Sequence, residues 1–401
     1  MTRRTLALAV VTLVAGLWFA GVRAPGPVGE ARSPSAAMEG AAKVTVRAPG
    51  GARSVPTDTR EARARPEPGE SAPAPTSTQV SPLEGYLAAS VYPPTSRPIA
   101  EGDRSLVDFA ARHERPRPVE GAREFELLFT ADRAWLVGDG TRLLVVLAAW
   151  SGRAATAPAG VRVTLSANGA SAREVALGAD TTLPTTTRLE VEALLARHQR
   201  TGPVLAAIVT PAELGLTTPT TLRLDAEVTL GGRTVQRHLL VPYTPEAAVP
   251  ARFTGRFEES IEDGSLVVHA GLEVREPGWY LIDINLHEVE GRPLAWTRFK
   301  GELGVGSTSV PLRFFGKVLR DLGARAPFEI GQLRGARYRP GTDPNLAQIP
   351  PFDGHFRTKS YPLELFADAA WDSPQKQARI AKLRDLESNP DAPSLSSPVA
   401  R

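Results

Sequence analysis

Two neighbouring stretches of the chain alternate between apolar and polar positions. In residues 265–274 the apolar positions are Leu266, Val268, Ala270, Leu272 and Val274. In residues 280–287 they are Tyr280, Ile282, Ile284 and Leu286. A period of two is typical of strands that bury one face. The residues between them, Arg275-Glu276-Pro277-Gly278, favour a turn, so the sequence predicts an antiparallel hairpin over 265–287.

Further strands follow, interrupted by one short helix. Segments 293–300, 308–314 and 328–338 have strand composition and are separated by turn residues. The helix is predicted where Phe315, Val318, Leu319 and Leu322 fall on one helical face, with Gly323 placed to end it in the left-handed conformation. Sheets formed by such strands bury one face against each other. We therefore predict a β-sandwich over residues 252–338.

An earlier part of the chain shows a similar pattern. Asn168-Gly169 and Gly231-Gly232 each separate two strand-like segments, and these are strong hairpin signals. Other predicted strands cover residues 124–130, 143–150 and 204–209, and a helix is predicted over residues 189–198. We predict a first sandwich over 121–246. The expected fold class is mainly β, with two antiparallel Ig-like β-sandwich domains in tandem.

The segments on either side of these sandwiches are less regular. Residues 81–120 mix apolar residues with prolines, and they predict an extended arm with a short helix near 105–113. This arm either packs on the next domain or serves as a partner-binding peptide. Residues 339–401 predict a loop-rich tail, with a Pro-rich loop over 339–353 and a short helix over 374–387.

The N-terminal stretch, residues 1–24, resembles an export or membrane signal. Arg3 and Arg4 precede a mainly apolar run without charges, which ends at Arg23. The run is near the lower length limit for crossing a bilayer core of roughly 30 Å, so it is either a cleaved signal peptide or a membrane anchor. Pro25 disfavours cleavage, which favours an N-terminal hydrophobic helix that remains as an anchor.

Residues 25–80 are rich in Pro and Ala and contain few large apolar side chains, so we predict a disordered linker. The positive N-terminus orients the rest of the chain away from the cytoplasm. The expected location is the inner membrane, as a single-pass protein with periplasmic domains. The alternative is secretion to the periplasm or cell surface.

Composition excludes several kinds of chemistry. The 401 residues contain no Cys, which rules out disulfides, thiolate metal sites and a Cys nucleophile. The 47 Lys and Arg residues nearly balance the 44 Asp and Glu residues, and no basic stripe is present, so we expect no nucleic-acid partner. No nucleophile and base occur at a recognisable spacing. We expect no enzymatic activity and no cofactor.

The predicted hairpin supplies the candidate ligand-binding residues. If the turn centres near Pro277, His269 lies opposite Asn285, and Asp283, Asn285 and His287 share its outward face. Two imidazoles and a carboxylate on neighbouring strands are able to bind a divalent metal, and such a polar face is also able to hold a sugar. The simpler interpretation is an ordinary solvent-facing surface of a sheet.

One part of the chain is similar to a known type of domain. The run from Val310 to Gly323, followed by Pro327-Phe328-Glu329-Ile330 and Leu333-Arg334-Gly335, resembles an uncharacterised β-sandwich domain of bacterial secreted and surface proteins. The resemblance covers residues 252–338 and departs from the pattern at Ala326, where Gly is usual. The resemblance implies a sandwich fold and a location outside the cytoplasm, and it implies no catalytic residue.

These observations predict a non-enzymatic interaction or scaffold protein of the cell envelope, tethered by its N-terminal anchor. The expected partner is an envelope protein or a cell-wall polymer. The alternative is a carbohydrate- or metal-binding module that uses the polar face of the 265–287 hairpin.

Overall fold

The computed structural model describes residues 81–167, 170–179 and 183–388. The predicted signal or anchor at 1–24 and the predicted linker at 25–80 lie outside these residues. In the described part, no helix combines the length and apolar character needed to cross a membrane. The protein is mainly β, with several antiparallel sheets and short helices.

The described residues fall into two compact units, of which the smaller consists of two helices. Helix α1, Pro82–Ala89, begins with a capping box in which Ser81 and Glu84 satisfy each other's backbone N–H groups. The second helix of this unit is the predicted C-terminal one, which spans Pro374–Ser388. Within the unit, the Leu83 N–H donates to Glu387 Oε1 at 3.0 Å, and Lys376 Nζ donates to the Ser90 carbonyl at 2.7 Å.

The larger unit, Val91–Asp372, contains four sheets in two facing pairs. The strands of the first pair are β2 Arg117–Val119, β3 Ala122–Ala131, β4 Leu136–Val137, β5 Leu143–Ser151, β6 Ala154–Ala155, β7 Gly160–Ala167, β8 Ala170–Glu174, β9 Gly178–Ala179, β10 Leu205–Val209, β11 Thr220–Leu230 and β12 Arg233–Thr244. One sheet has the order β2-β3-β5-β10-β9, with β6 paired to β5, and the other has the order β4-β12-β11-β7-β8. The hairpins β7–β8 and β11–β12 confirm the two predicted hairpins.

A buried apolar cluster lies between these two sheets and includes Leu147, Leu224 and Tyr243. A second cluster lies on the other side of β5, where helix α3, Thr185–Arg197, contributes Val191 and Leu194. Because both faces of β5 are covered, its apolar run is continuous instead of alternating. The predicted helix at 189–198 is confirmed and begins earlier than expected.

The second pair of sheets contains the two stretches that alternate between apolar and polar positions, residues 265–274 and 280–287. Its strands are β1 Ser96–Pro98, β13 Ala251–Glu262, β14 Ser265–Val274, β15 Gly278–Glu288, β16 Pro293–Leu303, β17 Gly306–Phe314, β18 Phe328–Tyr338, β19 Leu346–Phe352 and β20 Phe356–Arg357. The sheet β1-β16-β15-β18-β19, with β20 paired to β18, faces the sheet β13-β14-β17. We call the first of these the outer-strap sheet, because a segment of the N-terminal arm, residues 95–114, crosses the face that points away from the core. Between the two sheets lies a cluster that includes Ile282, Phe314 and Phe328.

The predicted 265–287 hairpin is wrong, although both of its strands are present. Strand β14 pairs with β13 and β17, whereas β15 pairs with β16 and β18. The turn at 275–277 therefore carries the chain from one sheet to the facing sheet. Alternation shows which residues face the core, but two facing strands bury the same kind of face as two paired strands. The pattern alone does not separate these arrangements.

The second sandwich also extends beyond its predicted bounds. Strand β19, Leu346–Phe352, lies within the predicted Pro-rich loop and pairs with β18. It lies at one edge of the sheet. An edge strand tolerates Pro350 and Pro351 because N–H groups on its outer side have no neighbouring strand to bond. Helix α4, Gly316–Asp321, confirms the predicted short helix. At the other edge, β1 comes from the arm, which precedes the first sandwich in the chain.

Gly316 is required by a close backbone approach at the start of α4. A Cβ atom there would lie 1.9 Å from the Gly264 carbonyl oxygen and 2.7 Å from the Ala367 nitrogen. We expect Gly316→Ala to lower the free energy of unfolding by about 2–3 kcal/mol, because backbone atoms must move. Urea denaturation followed by tryptophan fluorescence measures this change. Gly304→Ala is the control, since no atom lies within 4 Å of its new Cβ, and an equal effect of both substitutions would contradict the steric explanation.

Candidate functional site

The outer-strap sheet carries polar and charged residues on the face that points away from the core. Strand register aligns Asp283 of β15 with Arg298 of β16 and with Arg334 of β18. The next outward position aligns Asn285 with Trp296. A solvent-facing surface was the simplest expectation, yet Asn285 is fully buried and Arg334 is only 9% exposed.

One carboxylate in this face is shared by two guanidinium groups. Arg298 binds Asp283 through two hydrogen bonds of 2.5 and 2.7 Å, and Arg334 Nε lies 3.7 Å from Asp283 Oδ2. Burial opposes the charge of Arg298, but its hydrogen bonds and attraction to Asp283 outweigh this cost and raise its pKa. For Arg334, burial dominates and lowers the pKa to about 10. The cluster therefore holds more positive than negative charge in a partly dry environment.

Aromatic rings cover the guanidinium groups of this cluster. The Arg298 guanidinium lies 5.0 Å from the centre of the Trp296 ring, and that of Arg97 lies 6.0 Å from the same ring. The Arg334 guanidinium lies 4.5 Å from the Phe109 ring. Contacts of this kind stabilise a cation that has lost part of its water. Phe109 belongs to the arm, so the arm shields the charge cluster from solvent.

The arm crosses this face as a strap, which we define as residues 95–114. Helix α2, Arg104–Val107, is shorter than the helix predicted near 105–113. Asn285 Nδ2 donates to the Leu106 carbonyl at 2.7 Å, and Gln332 Nε2 donates to the Val107 carbonyl at 2.7 Å. Asn285 Nδ2 also donates to Gln332 Oε1 at 2.5 Å. Two amide side chains from neighbouring strands thus hold the end of α2.

Gln332 reaches the strap because of an irregularity in its own strand. The β15–β18 register shifts between Asp283 and Asn285, and Gln332 has a φ of 56°. A left-handed backbone is unfavourable for a residue with a Cβ atom, and it is found where surrounding contacts stabilise it. Here the bulge points the Gln332 amide at both Asn285 and Val107. The local strain accompanies the contact that holds the strap.

The strap then continues to the first sandwich. The Ala134 N–H donates to the Ala110 carbonyl at 2.7 Å, and Arg112 Nη1 donates to the Leu240 carbonyl at 2.7 Å. Phe109 also stacks on Trp135, with ring centres 6.3 Å apart. The prediction that the arm packs on the next domain is therefore incomplete, because the strap contacts both sandwiches.

The predicted ligand-binding residues are not brought together. His269 lies on β14, in the facing sheet, where its Nε2 lies 3.5 Å from Glu262 Oε1. Asp283 is engaged by arginines and Asn285 is covered by the strap, while burial lowers the pKa of His287. In the part of the chain that the structure describes, no group of three or more His, Asp or Glu side chains is arranged to hold a metal ion. The shared face predicted for the four residues depended on the hairpin, and it is wrong for the same reason.

Sequence reasoning missed the residues that organise this face. Phe109 and Gln332 have no motif around them, and Gln332 acts through a bulge that no pattern in β18 reveals. A usable signal was present at Leu106, Val107 and Phe109, since these apolar residues stand in an otherwise polar, Pro-rich arm. Among the tryptophans, Trp150 is 1% and Trp296 is 6% exposed, whereas Trp279 is 47% exposed.

No protein-family model and no curated protein sequence matches this chain. Among solved structures, a DUF4785 family protein from Legionella pneumophila is similar over 58% of this chain, with 14% identity and a TM-score of 0.35. This chain spans 57% of the length of that protein. The FN1–FN3 domains of chicken CNTN1 are similar over 57% of this chain and 64% of their own length, with 9% identity and a TM-score of 0.22.

A third similar structure is Salmonella alpha-2-macroglobulin reacted with methylamine. It matches over 58% of this chain and 16% of its own length, with 10% identity and a TM-score of 0.21. Similarities of this size assign no activity and no partner to the chain.

The amide contacts predict that the strap loosens when Asn285 is truncated. Asn285→Ala removes the donor to Leu106 and leaves that carbonyl buried, so we expect a loss of about 1–3 kcal/mol in the free energy of unfolding. Trypsin cleavage after Arg104, which is exposed within the strap, should become faster under native conditions. Asn345→Ala changes an exposed amide and serves as the control. Equal cleavage rates in both variants would contradict the role of Asn285 in holding the strap.

The shared carboxylate predicts a larger effect. Asp283→Asn leaves Arg298 and Arg334 without their counter-charge, and we expect a loss of about 3–5 kcal/mol, measured by urea denaturation. Adding Arg334→Met should restore part of the stability, because it removes one buried positive charge. Glu302→Gln, an exposed change on β16, is the control. A double variant less stable than Asp283→Asn alone would overturn this account of the cluster.

Proposed function

We propose that this protein is a non-enzymatic interaction or scaffold protein of the cell envelope, built from two Ig-like sandwich domains in tandem. The two sandwiches have the same strand order: β3-β5-β10 faces β8-β7-β11-β12, and β13-β14-β17 faces β16-β15-β18-β19. Ig-like sandwiches of this architecture recur in many cell-surface domains. The resemblance of residues 252–338 to secreted and surface domains supports the same location, the cell envelope.

The observation that carries this proposal is the strap, because it holds two sandwiches in one compact unit. Its strand β1 adds to β16 of the second sandwich, and its residues 110–112 bind the first. Direct contacts between the sandwiches support it: the Gln348 N–H donates to Thr244 Oγ1 at 2.9 Å, and Thr221 Oγ1 donates to Asp343 Oδ1 at 2.5 Å. A body fixed in this way loses little conformational entropy when it binds a partner.

The electrostatics of the described residues agree with a structural use of ionisable groups. Hydrogen bonding to Asp321 and burial raise the pKa of Tyr92 to about 12, with burial the larger cause. Burial likewise raises the pKa of Tyr280 to about 12, and its hydroxyl donates to the Pro250 carbonyl at 3.2 Å. The raised pKa values favour the neutral forms of both groups, in which their hydroxyls donate hydrogen bonds to other parts of the chain.

The proposed location follows from residues 1–24 and 25–80. An N-terminal hydrophobic helix would anchor the chain in the inner membrane, or direct it to the periplasm or cell surface, and the Pro-rich linker would let the sandwiches reach a partner. The proposed partner is an envelope protein or a cell-wall polymer.

Cell fractionation and crosslinking test this proposal. In cells that produce the full chain with a C-terminal tag, we expect the tag in the membrane or periplasmic fraction and accessible to protease once the outer barrier is opened. Crosslinking should then capture the same envelope component from the full chain and from a variant lacking residues 25–80, because the linker would supply only reach. A tag found in the cytoplasm would overturn the proposal, and so would crosslinking that captures no envelope component from the full chain.

A further inference from the structure

Two adjoining clefts lie at one end of the first sandwich, beside the loop that follows α3. Their volumes are about 440 and 600 Å³, and Arg153 and Arg200 line both. The walls come from the start of β3, the β5–β6 turn and the loop that follows α3. Clefts of this size are large enough to hold several sugar units or a comparable small molecule.

One wall of the cleft is held rigidly in place. The Arg200 guanidinium pairs with Glu126, donates to the Gly152 carbonyl at 3.1 Å and lies 5.4 Å from the Trp150 ring centre. The indole Nε1 of Trp150 donates to the Thr201 carbonyl at 3.1 Å. Since Trp150 is buried in the core cluster under α3, the loop that forms this wall is fixed to the interior. A polar wall positioned before the ligand arrives favours binding.

The residue at the bend of this loop has an unfavourable backbone conformation. After α3, the Arg200 N–H donates to the Leu195 carbonyl and the Gln199 N–H donates to the Ala196 carbonyl, which is the Schellman pattern of helix ends. Gln199 therefore occupies the position that usually holds Gly, with a φ of 55°. Gly at this position would relieve the strain. Instead, the chain has an amide side chain that lines the cleft.

The charges in the cleft are suited to a mixed ligand. Arg123 and Arg153 are exposed and form no ion pair with a carboxylate of the residues that the structure describes. Glu124 lies in the same wall, so a polyanion without hydroxyl groups would meet repulsion there. A ligand that carries separate carboxylates and hydroxyl groups satisfies both kinds of residue, because guanidinium groups bind carboxylates in pairs of hydrogen bonds and Glu124 accepts from hydroxyls.

His198 is a further polar residue of the cleft, in addition to Arg123 and Arg153. Its Nε2 is buried and has no hydrogen-bond partner among the described residues, and the side chain lines the smaller cleft. Burial lowers the pKa of His198, which favours the neutral ring.

We propose that this cleft binds an acidic oligosaccharide, with carboxylates held by Arg123 and Arg153 and hydroxyl groups held by Gln199 and Glu124. The proposal names a chemical class of partner for the cell-envelope function above. It is tested separately, because the measurement uses the purified full chain and does not depend on where the protein is located.

Calorimetric titration of the full chain with hexagalacturonate, an oligosaccharide with a carboxylate on every unit, tests the proposal. We expect saturable binding that weakens as salt is added, and no binding of the neutral maltohexaose. Inorganic phosphate should compete only at much higher concentration, because it lacks the spaced hydroxyl groups. Equal binding of maltohexaose, displacement by phosphate at equal concentration, or no binding of hexagalacturonate would each overturn the proposal.

Variants locate the binding in the cleft. Arg123→Gln/Arg153→Gln should weaken hexagalacturonate binding by at least about tenfold, since each arginine contributes charged hydrogen bonds. Arg256→Gln/Arg275→Gln removes the same charge from exposed positions in the second sandwich and should leave the affinity unchanged. Gln199→Gly should raise the melting temperature while weakening binding. An equal loss in both arginine pairs, or a Gln199→Gly variant that binds normally, would contradict the assigned site.

Discussion

The amide hydrogen bonds between the outer-strap sheet and the strap are the contacts on which the larger unit depends. Asn285 and Gln332 point out of a sheet whose other face already packs on the core, and a buried amide without partners is costly. The carbonyls at the end of α2 would be equally costly if they were covered without donors. The carbonyls of Leu106 and Val107 accept hydrogen bonds from Asn285 Nδ2 and Gln332 Nε2. A segment that precedes the first sandwich in the chain is therefore bound into the second.

This constraint also explains why the charges on the same face do not form an open site. Asp283, Arg298 and Arg334 lie next to the strap, and the Phe109 ring excludes water from Arg334. Once the strap is present, one carboxylate has to balance the charge of two guanidinium groups in an environment of low polarity. Electrostatic attraction and the cost of desolvation are both large there. The arrangement gives little net stability but fixes the geometry, because a displaced strap would remove the Leu106 carbonyl from Asn285 and would uncover the guanidinium of Arg334.

The sequence was informative about strands and less so about their partners. Alternation in residues 265–274 and 280–287 located β14 and β15, because burial of one face leaves a direct mark on the chain. Whether these strands pair or face each other depends on the path of the 275–277 turn, which composition does not encode. Strand β19 was missed because Pro350 and Pro351 indicate a loop, although an edge strand tolerates them. The binding face predicted for His269 and His287 failed with the hairpin, and the strap contacts of Gln332 depend on a bulge without any sequence signal.

The two sandwiches cover their sheets differently, and this difference indicates where polar groups stay available. In the first, helix α3 covers the far face of β5 with apolar side chains, so that face needs no polar partner. In the second, the strap satisfies the polar face of β15 and β18. What remains is the end of the first sandwich, where α3 is followed by a strained Gln199, and where Arg123 and Arg153 form no ion pair with a carboxylate in the described part of the chain. Strain that persists without a packing reason, beside charges without partners, is expected at a surface that binds a ligand.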